Sequence, residues 1–504
     1  MKRFAPLVAL ILPCLILWPA KAGDPAVART EPAPLQFHLT FDKKVSATPF
    51  TGRIYVMISK HEVKELPSGV NWFNPQPFLA RDVRDWKPGE SLTIAADALA
   101  FPQPLAKLKP DAYTVVAVMD LDQGYRNFCN APGNGHSKPI RLHLDPAKTG
   151  TVKLVLDQIV KHRPFPEGKR VKLVEIESKL LSAFHGRSMI LRAAVVLPKS
   201  FDDKPDQRYP VIYEIPGFGG DHYGAIFAQA RNATEVAGVE MLYVVLDPNC
   251  RTGHHVCADS ENNGPCGAAL VNELIPYIEK EYRGRGVAGG RFVTGHSSGG
   301  WSSLWLQITY PDFFGGVWST APDPVDFRDF QRINLYKTGA NMFVDEEGKQ
   351  RPLARYGKKV LLYYKPFSDM ETVMGHGGQL ASFEAVFSPR GKDGQPRRLW
   401  DRASGRIDAD VAKAWERYDI RLVLERNWKK LGPSLAGKLH VYMGGEDTFY
   451  LEGATVLLKE SLAKLGSDAV VEIFPGKNHG SLMDKALRER MAKEMADVFR
   501  RQCK

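Results

Sequence analysis

A serine near residue 300 lies in a pattern that is typical of a catalytic nucleophile. Gly295-His-Ser-Ser-Gly299 has the form G-x-S-x-G, which permits a sharp strand-to-helix turn with the serine hydroxyl at its tip. The two glycines are required sterically, because a side chain at either position would collide with the neighbouring strand or helix. The pattern alone is a weak signal, but a short apolar strand precedes it. Apolar residues at the spacing of one helical face follow it, namely Trp301, Leu304, Trp305 and Ile308. We therefore predict that Ser297 is a nucleophile.

A serine hydroxyl needs a base, and the base needs an orienting carboxylate. In doubly wound hydrolases the acid and then the histidine follow the serine in the chain, each after a later strand. Asp447 follows the apolar segment 438–443, and His479 follows the segment 469–474. We predict that His479 is the base and Asp447 the acid. Glu446 is an adjacent alternative acid, Asp447 could instead cap the following helix, and His479 could be an exposed loop residue.

The negative charge that develops on an attacked carbonyl oxygen needs fixed hydrogen-bond donors. One expected donor is the backbone N–H of Ser298, directly after the nucleophile. The second is expected from the glycine-rich loop 216–220, where Phe218 is the best candidate. The alternative is that these glycines only form a tight turn.

Four further residues are candidates for contacts with a substrate. The polar loop 247–263 follows a strand end, so we expect it to border the site. His254 and His255 in this loop could contact substrate, or could bind a metal together with Asp259. The other two candidates flank the nucleophile and are His296 and Trp301.

The elements that position these residues predict an α/β fold. From about residue 171, apolar strands alternate with amphipathic helices, which is typical of a doubly wound, mainly parallel sheet. A smaller all-β region, sandwich-like, precedes it at 35–160, with short alternating strands and turn residues between them. We predict a linker at 161–170, a catalytic domain at 171–504 and an irregular insertion at about 323–431, which either caps the active site or is an inert surface elaboration.

The amino terminus resembles a secretory signal. Lys2 and Arg3 precede an apolar run, and Ala20-Lys-Ala22 fits a cleavage site, so we predict a signal peptide at 1–22 and a flexible leader at 23–34. No later segment is apolar enough to span a membrane. The formal charge of +11 includes three basic residues of this signal, and the remaining basic residues are scattered. This distribution argues against nucleic acid as a partner.

The chain resembles the esterase D and feruloyl esterase-like family, which includes enterochelin esterases and mycolyltransferases. The resemblance runs from about residue 170 to the end, and it is carried by segments 210–220, 273–278, 295–300, 444–447 and 478–480. It implies an α/β-hydrolase fold, no metal or other cofactor, and an acyl-enzyme on Ser297. The chain departs from the family where Pro216 replaces the usual histidine before the glycine, and in its long insertion.

The leading hypothesis is an exported serine hydrolase, periplasmic or extracellular, that cleaves a carboxylic ester. Its substrate would be a small molecule or an ester linked to a polysaccharide. The alternatives are an acyltransferase with the same triad, or a catalytically inactive binding protein on the hydrolase fold. The sequence leaves the oligomeric state open.

Overall fold

The computed structural model describes residues 33–503. The predicted signal peptide and all but the last two residues of the predicted leader lie outside this range. Those two residues, Ala33 and Pro34, are already part of the first strand, so the β-domain begins slightly earlier than the sequence suggested.

The first part of the chain is all-β, as predicted. Its nine strands are β1 (Ala33–Phe41), β2 (Phe50–Ser59), β3 (Phe78–Trp86), β4 (Leu92–Ile94), β5 (Leu99–Phe101), β6 (Asp111–Met119), β7 (Gly135–Ser137), β8 (Ile140–Leu144) and β9 (Thr149–Ile159). They are hydrogen-bonded into one continuous sheet in the order β4-β1-β9-β7-β6-β2-β3-β5, with β8 paired to β6. Side chains from both ends of this sheet meet in a single core.

The sequence of strand β2 is continuously apolar from Ile54 to Ile58, and the burial of its side chains explains why. Successive side chains of a strand point to opposite faces. Ile54, Val56 and Ile58 enter the core of the β-domain. Tyr55 and Met57 point the other way, into the core shared with the following domain. Both faces of the strand are therefore buried, and the β-domain is packed firmly against its neighbour.

The second part contains an eight-stranded sheet. Its strands are β10 (Val171–Glu177), β11 (Ile190–Val196), β12 (Val211–Ile215), β15 (Leu242–Leu246), β20 (Arg291–His296), β21 (Gly316–Thr320), β24 (Leu439–Gly444) and β25 (Val470–Phe474). The order is β10-β11-β15-β12-β20-β21-β24-β25. Only the pairings of β11 with β10 and β15 are antiparallel. The predicted α/β architecture with a mainly parallel sheet is confirmed.

Helices cover both faces of this sheet. They are α1 (Lys179–His185), α2 (Gly224–Ala230), α3 (Cys266–Ala269), α4 (Ile275–Glu281), α5 (Ser298–Thr309), α10 (Glu452–Lys464) and α11 (Lys485–Gln502). Leu304 of α5 and Ile278 of α4 pack on one side of the sheet. Ala225 of α2 and Met491 of α11 pack on the other. The carboxyl ends of the parallel strands share one edge, where their loops meet.

Short hairpins connect some of these elements. They are formed by β13 (Glu235–Val236) with β14 (Val239–Glu240), β16 (Asn249–Cys250) with β17 (Gly253–His254), and β18 (Asp259–Ser260) with β19 (Gly264–Pro265). The last two hairpins make up most of the polar loop 247–263, so this loop is more ordered than its composition suggests.

The insertion between β21 and β24 contains regular elements separated by irregular segments. It contains β22 (Pro352–Tyr356), β23 (Lys359–Tyr363), α6 (Tyr364–Met374), α7 (Gln379–Phe387), α8 (Ala409–Trp415) and α9 (Ile420–Leu435). Helix α9 runs past residue 431, where the insertion was predicted to end. The insertion also touches the β-domain, because the Tyr55 hydroxyl donates to the carbonyl oxygen of Met374 at 2.6 Å.

Candidate active site

Ser297 stands at the tip of a strained turn between β20 and α5. Its backbone has φ 60° and ψ −125°, a conformation that residues with a side chain rarely adopt. A Cβ at Gly295 would meet the carbonyl oxygen of Gly299, and one at Gly299 would meet that of Ile215. These backbone contacts leave no room for a side chain at either position, as predicted from the sequence pattern. The side chain of Ser297 remains partly exposed.

His479 and Asp447 are brought together at the carboxyl ends of neighbouring strands. The Nδ1 of His479 donates to Oδ2 of Asp447 at 2.7 Å. Asp447 is completely buried, and its Oδ1 accepts the N–H of Phe449 at 2.8 Å. A proton on Nδ1 leaves the Nε2 lone pair available to accept another. Glu446 is exposed, so its carboxylate is not the one that contacts the histidine.

The histidine pair next to the serine defines the centre of the site. The ring of His296 lies 4.5 Å from the ring of His479, centroid to centroid, and Nδ1 of His296 is 3.1 Å from the Thr320 hydroxyl. Burial, followed by the neighbouring His479, lowers the pKa of His296 to about 3. A neutral His296 therefore packs against His479 beside Ser297. Catalytic hydrogen bonds are often formed fully only with substrate bound.

The loop 216–220 lies directly against the turn that carries Ser297. A Cβ placed on Gly217 would be 3.0 Å from the carbonyl oxygen of His296 and 3.2 Å from Cβ of Ser297. Phe218 is the next residue along the loop. Ser298 is the first residue of α5, where a helix leaves its N–H groups without intrahelical acceptors. Within residues 33–503, neither the N–H of Phe218 nor that of Ser298 donates to a protein acceptor.

Two predicted substrate contacts are corrected by burial. His254 is fully buried, with Nε2 donating to the carbonyl oxygen of Pro216 at 2.9 Å and Nδ1 accepting the N–H of Val256 at 3.0 Å. It therefore supports the loop 216–220 from behind. Trp301 is 1% exposed and stacks against Trp305, with ring centroids 5.2 Å apart. Its place on a helical face was predicted correctly, but that face points into the core.

The remaining predicted contacts are more accessible. His296 is partly exposed beside His479. His255 is also partly exposed, and its Nδ1 accepts the N–H of Cys257 at 3.0 Å. Asp259 accepts from the N–H of Ala268 at 3.0 Å and lies in the second half of the loop 247–263. In the described part of the chain, no group of three or more His, Cys, Asp and Glu residues is arranged to hold a metal ion.

A buried carboxyl group near the site was missed by the sequence reasoning. Asp323 accepts a hydrogen bond from the Ser298 hydroxyl at 2.5 Å, and Gln379 of the insertion lies 3.4 Å from the same oxygen. Burial raises the pKa of Asp323 to about 6, although the Ser298 hydrogen bond lowers it. Asp323 follows β21 in the way that Asp447 follows β24, so the rule about strand ends could have found it.

The β-domain also reaches the site, and no pattern in the sequence predicts this contact. The ring of Trp72 lies 5.4 Å from the ring of Phe218, and the Arg126 guanidinium lies 4.8 Å from the centre of the same ring. Both residues come from loops between strands of the β-domain. The ring of Phe218 is therefore contacted by side chains of the other domain.

A separate cavity of about 470 Å³ lies away from the triad candidates. Its walls come from Phe184, from the second half of the loop 247–263, from Trp305, and from Arg417 and Tyr418 of the insertion. Trp305 is eight residues beyond Ser297, or about 12 Å along the helix. The first half of the same loop borders the site instead, because a Cβ on Gly253 would be 3.4 Å from the Phe218 ring.

Residues 33–503 contain neither a disulfide bond nor a helix that could span a membrane. The five cysteines in this range, Cys129, Cys250, Cys257, Cys266 and Cys503, are all unpaired. None of the helices in the same range combines the length and the apolar character needed to cross a membrane.

Comparison with known proteins identifies a family for the region that contains the serine. A family model described as a putative esterase matches residues 189–455, slightly more than half of the chain. The match includes Ser297 and Asp447 and ends before His479. No curated protein matches the chain significantly.

Several solved structures are similar to this chain at low sequence identity. A ferulic acid esterase is 15% identical, with a TM-score of 0.42, over 66% of this chain and 98% of its own. An S-formylglutathione hydrolase from Agrobacterium tumefaciens is 14% identical, with a TM-score of 0.41, over 65% of this chain and 95% of its own. FphF of Staphylococcus aureus, a fluorophosphonate-binding serine hydrolase, is 12% identical, with a TM-score of 0.38, over 65% of this chain and 98% of its own.

Proposed function

The chain belongs to the family of putative esterases and is a carboxylic-ester hydrolase, and from this premise we propose that it works through an acyl-enzyme on Ser297. In this proposal His479 is the base and Asp447 the orienting acid. The observation that carries it is the 2.7 Å hydrogen bond between His479 and the buried Asp447, formed beside a strained serine turn. A serine nucleophile requires a histidine base that a carboxylate orients, and this bond supplies the orienting contact.

The proposed reaction has two halves. In the first, Nε2 of His479 takes the Ser297 proton while the serine oxygen attacks the ester carbonyl carbon. The negative charge on the carbonyl oxygen is stabilised by the N–H groups of Phe218 and Ser298. Asp447 stabilises the imidazolium. The alcohol then leaves with the proton from His479, and the acyl group stays on the serine.

In the second half, water replaces the alcohol. His479 takes a proton from the water, which attacks the acyl-enzyme carbonyl carbon. The acid product leaves as the bond to Ser297 breaks, and the proton returns to the serine oxygen. Neither half needs a group beyond the protein and water.

The proposal is tested by replacing the nucleophile. With 4-nitrophenyl acetate as substrate, Ser297→Ala should lower kcat by at least about 10³-fold, as is usual when a nucleophilic serine is lost. A fluorophosphonate probe should form an adduct on Ser297 in the wild type and none in the variant. Ser404→Ala removes an exposed hydroxyl in the insertion, which donates to Asp401, and should leave both measurements unchanged. Hydrolysis that survives Ser297→Ala would remove the basis of the proposal.

An acyltransferase with the same triad is the second candidate. The observation in its favour is that the insertion reaches the base of the serine turn, where Nε2 of Gln379 donates to the Ser298 hydroxyl at 3.2 Å. An insertion at this position can limit access of water to an acyl-enzyme. Adding a primary alcohol as acceptor and measuring the ratio of transfer to hydrolysis separates the two reactions.

We also propose that the protein is exported to the periplasm or the medium. The support is the basic, apolar and small-residue pattern of residues 1–22. Cell fractionation followed by N-terminal sequencing tests this, and a mature chain that begins at Gly23 is the expected result. A full-length chain in the cytoplasmic fraction would contradict it.

A further inference from the structure

Arg126 of the β-domain lies beside the loop that is expected to stabilise the oxyanion. Its guanidinium lies over the ring of Phe218, 4.8 Å from the ring centre. Its Nε donates to the side-chain oxygen of Asn249 at 3.0 Å. One terminal nitrogen, Nη2, is 3.1 Å from the point where a Cβ on Gly219 would stand. The guanidinium is thus held by one hydrogen bond and one aromatic ring, with Nη2 next to Gly219 of the loop 216–220.

Arg126 is partly buried and, unlike two other partly buried arginines of this chain, has no carboxylate partner. Arg251 pairs with Asp120 at 2.8 Å, and Arg291 pairs with Glu279 at 2.7 Å. Within residues 33–503, no carboxylate oxygen lies within 4.0 Å of the Arg126 guanidinium, and neither terminal nitrogen donates to a protein acceptor. A fixed guanidinium with free N–H groups is suited to a planar anion.

The nearest acidic side chains do not take the place of a partner. Asp247 accepts from His222 at 3.0 Å and from the side chain of Asn249 at 2.8 Å. Asp221 accepts the N–H of Tyr223 at 2.9 Å. Both acids favour the charged form of Arg126, but burial outweighs them and lowers the pKa of the guanidinium below its usual value. Both acids lie beyond contact distance, and the terminal nitrogens stay available.

Arg126 and Ser297 both contact the loop 216–220. Gly217 is the residue whose Cβ position is 3.2 Å from Cβ of Ser297, and Gly219 is the one next to Nη2 of Arg126. Two residues of chain span at most about 7 Å. Ser297 and Arg126 therefore lie against the same loop, at positions two residues apart.

We propose that Arg126 binds a carboxylate on the ester substrate and so determines specificity for anionic esters. This inference rests on the proposed function, because it deepens the substrate class of the same site. It also gives the β-domain a role, since Arg126 and Trp72 are the parts of that domain that contact Phe218. The carboxylate belongs to the acyl part or to the alcohol part of the ester, and the two arms of the experiment distinguish them.

The experiment compares charged and neutral esters of matched size. The first arm uses mono-4-nitrophenyl glutarate against 4-nitrophenyl pentanoate, which places the charge on the acyl part. The second uses 4-acetoxybenzoate against 4-acetoxybenzamide, which places it on the alcohol part. In one arm the wild type should prefer the charged ester by at least about tenfold in kcat/KM, the usual size of a charge-assisted hydrogen bond.

Arg126→Gln should remove this preference through a higher KM for the charged ester, with the neutral ester changed by less than about threefold. Arg126→Lys, which keeps the charge and loses the planar fork, should retain an intermediate preference. Arg163→Gln is the matched control, because the Arg163 guanidinium also lies over an aromatic ring, 4.9 Å from the centre of Tyr223, but is exposed on the linker. This control should keep the wild-type preference.

Three results would overturn the proposal: no preference by the wild type in either arm, an equal loss on charged and neutral esters in Arg126→Gln, or a full preference that survives in Arg126→Gln. Calorimetric titration of Ser297→Ala with the same four esters separates this proposal from the proposed reaction. Tighter binding of a charged ester that disappears in the Ser297→Ala, Arg126→Gln double variant supports the Arg126 site, even if the wild type hydrolyses none of the esters.

Discussion

The Ser298 hydroxyl donates a 2.5 Å hydrogen bond to the buried carboxyl group of Asp323, directly beneath the turn that presents Ser297. This bond links the start of α5 to the carboxyl end of β21. Gln379 of the insertion reaches the same pair. The support of the serine turn therefore comes from three parts of the chain that are distant in sequence.

Asp323 should make the stability of the fold depend on pH. Burial raises its pKa to about 6 in the folded protein, above the value of about 4 in an unfolded chain. The unfolded state loses its proton first as the pH rises, so a destabilising contribution is absent below about pH 4 and complete above about pH 6. Two pH units correspond to about 3 kcal/mol.

The measurement is urea denaturation of the wild type and of Asp323→Asn, which cannot ionise, across this pH range. The free energy of unfolding of the variant, relative to wild type, should increase by about 3 kcal/mol from pH 4 to pH 7. Asp410→Asn, at an exposed position on α8, is the control and should follow the wild type. Parallel profiles for Asp323→Asn and the wild type would show that Asp323 does not titrate in this way.

His254 should make the free energy of unfolding rise with pH, which is opposite to the effect of Asp323. Burial behind the loop 216–220 lowers its pKa to about 3, although the hydrogen bond to the Pro216 carbonyl oxygen raises it. An unfolded histidine binds a proton near pH 6.5. The contribution of the neutral ring is therefore complete above about pH 6.5 and is lost as the pH falls toward 3, with a slope of about 1.4 kcal/mol per pH unit.

His254→Gln should remove this slope between about pH 6 and pH 4, as measured by denaturation at several pH values. The exposed linker residue His162, replaced in the same way, provides the control. A slope that persists in His254→Gln would assign the acid sensitivity to other groups.

Asp447 and Glu446 should differ greatly in their effect on the reaction. Asp447→Asn alters the group that orients His479, so kcat should fall by about 10³- to 10⁴-fold with the melting temperature close to wild type. Glu446→Gln changes the neighbouring exposed carboxylate and should alter kcat by less than about twofold. The measurement is steady-state hydrolysis of 4-nitrophenyl acetate, and the reverse ranking would identify Glu446 as the acid.

Gly299→Ala should show how closely the serine turn is packed. The added Cβ would meet the carbonyl group of Ile215, which belongs to the neighbouring strand and cannot move independently. We expect a loss of at least about 3 kcal/mol in the free energy of unfolding, together with a fall in kcat/KM. Gly168→Ala on the linker has open space around its Cβ and should change stability by less than about 0.5 kcal/mol. Equal stability of the two variants would mean that the turn can relax.

The features that depend on local geometry could be predicted from the amino-acid sequence alone. The alternation of strands and helices predicted the α/β fold, because side-chain periodicity follows directly from backbone conformation. The order of Ser297, Asp447 and His479 and their places after strands were also readable, since the ends of parallel strands share one edge of a sheet. The structure joins the last two by a hydrogen bond.

The tertiary structure decided which faces of these elements are covered. A helical face that contains Trp301, or a loop that contains His254, looks the same in the sequence whether it faces a substrate or the core. Arg126 is separated from Phe218 by almost a hundred residues, and no local pattern predicts that the β-domain brings them together. Such contacts arise from the packing of whole domains. Both faces of β2 are buried in this packing. The same packing places the charged side chain of Arg126 beside the proposed oxyanion loop of the other domain.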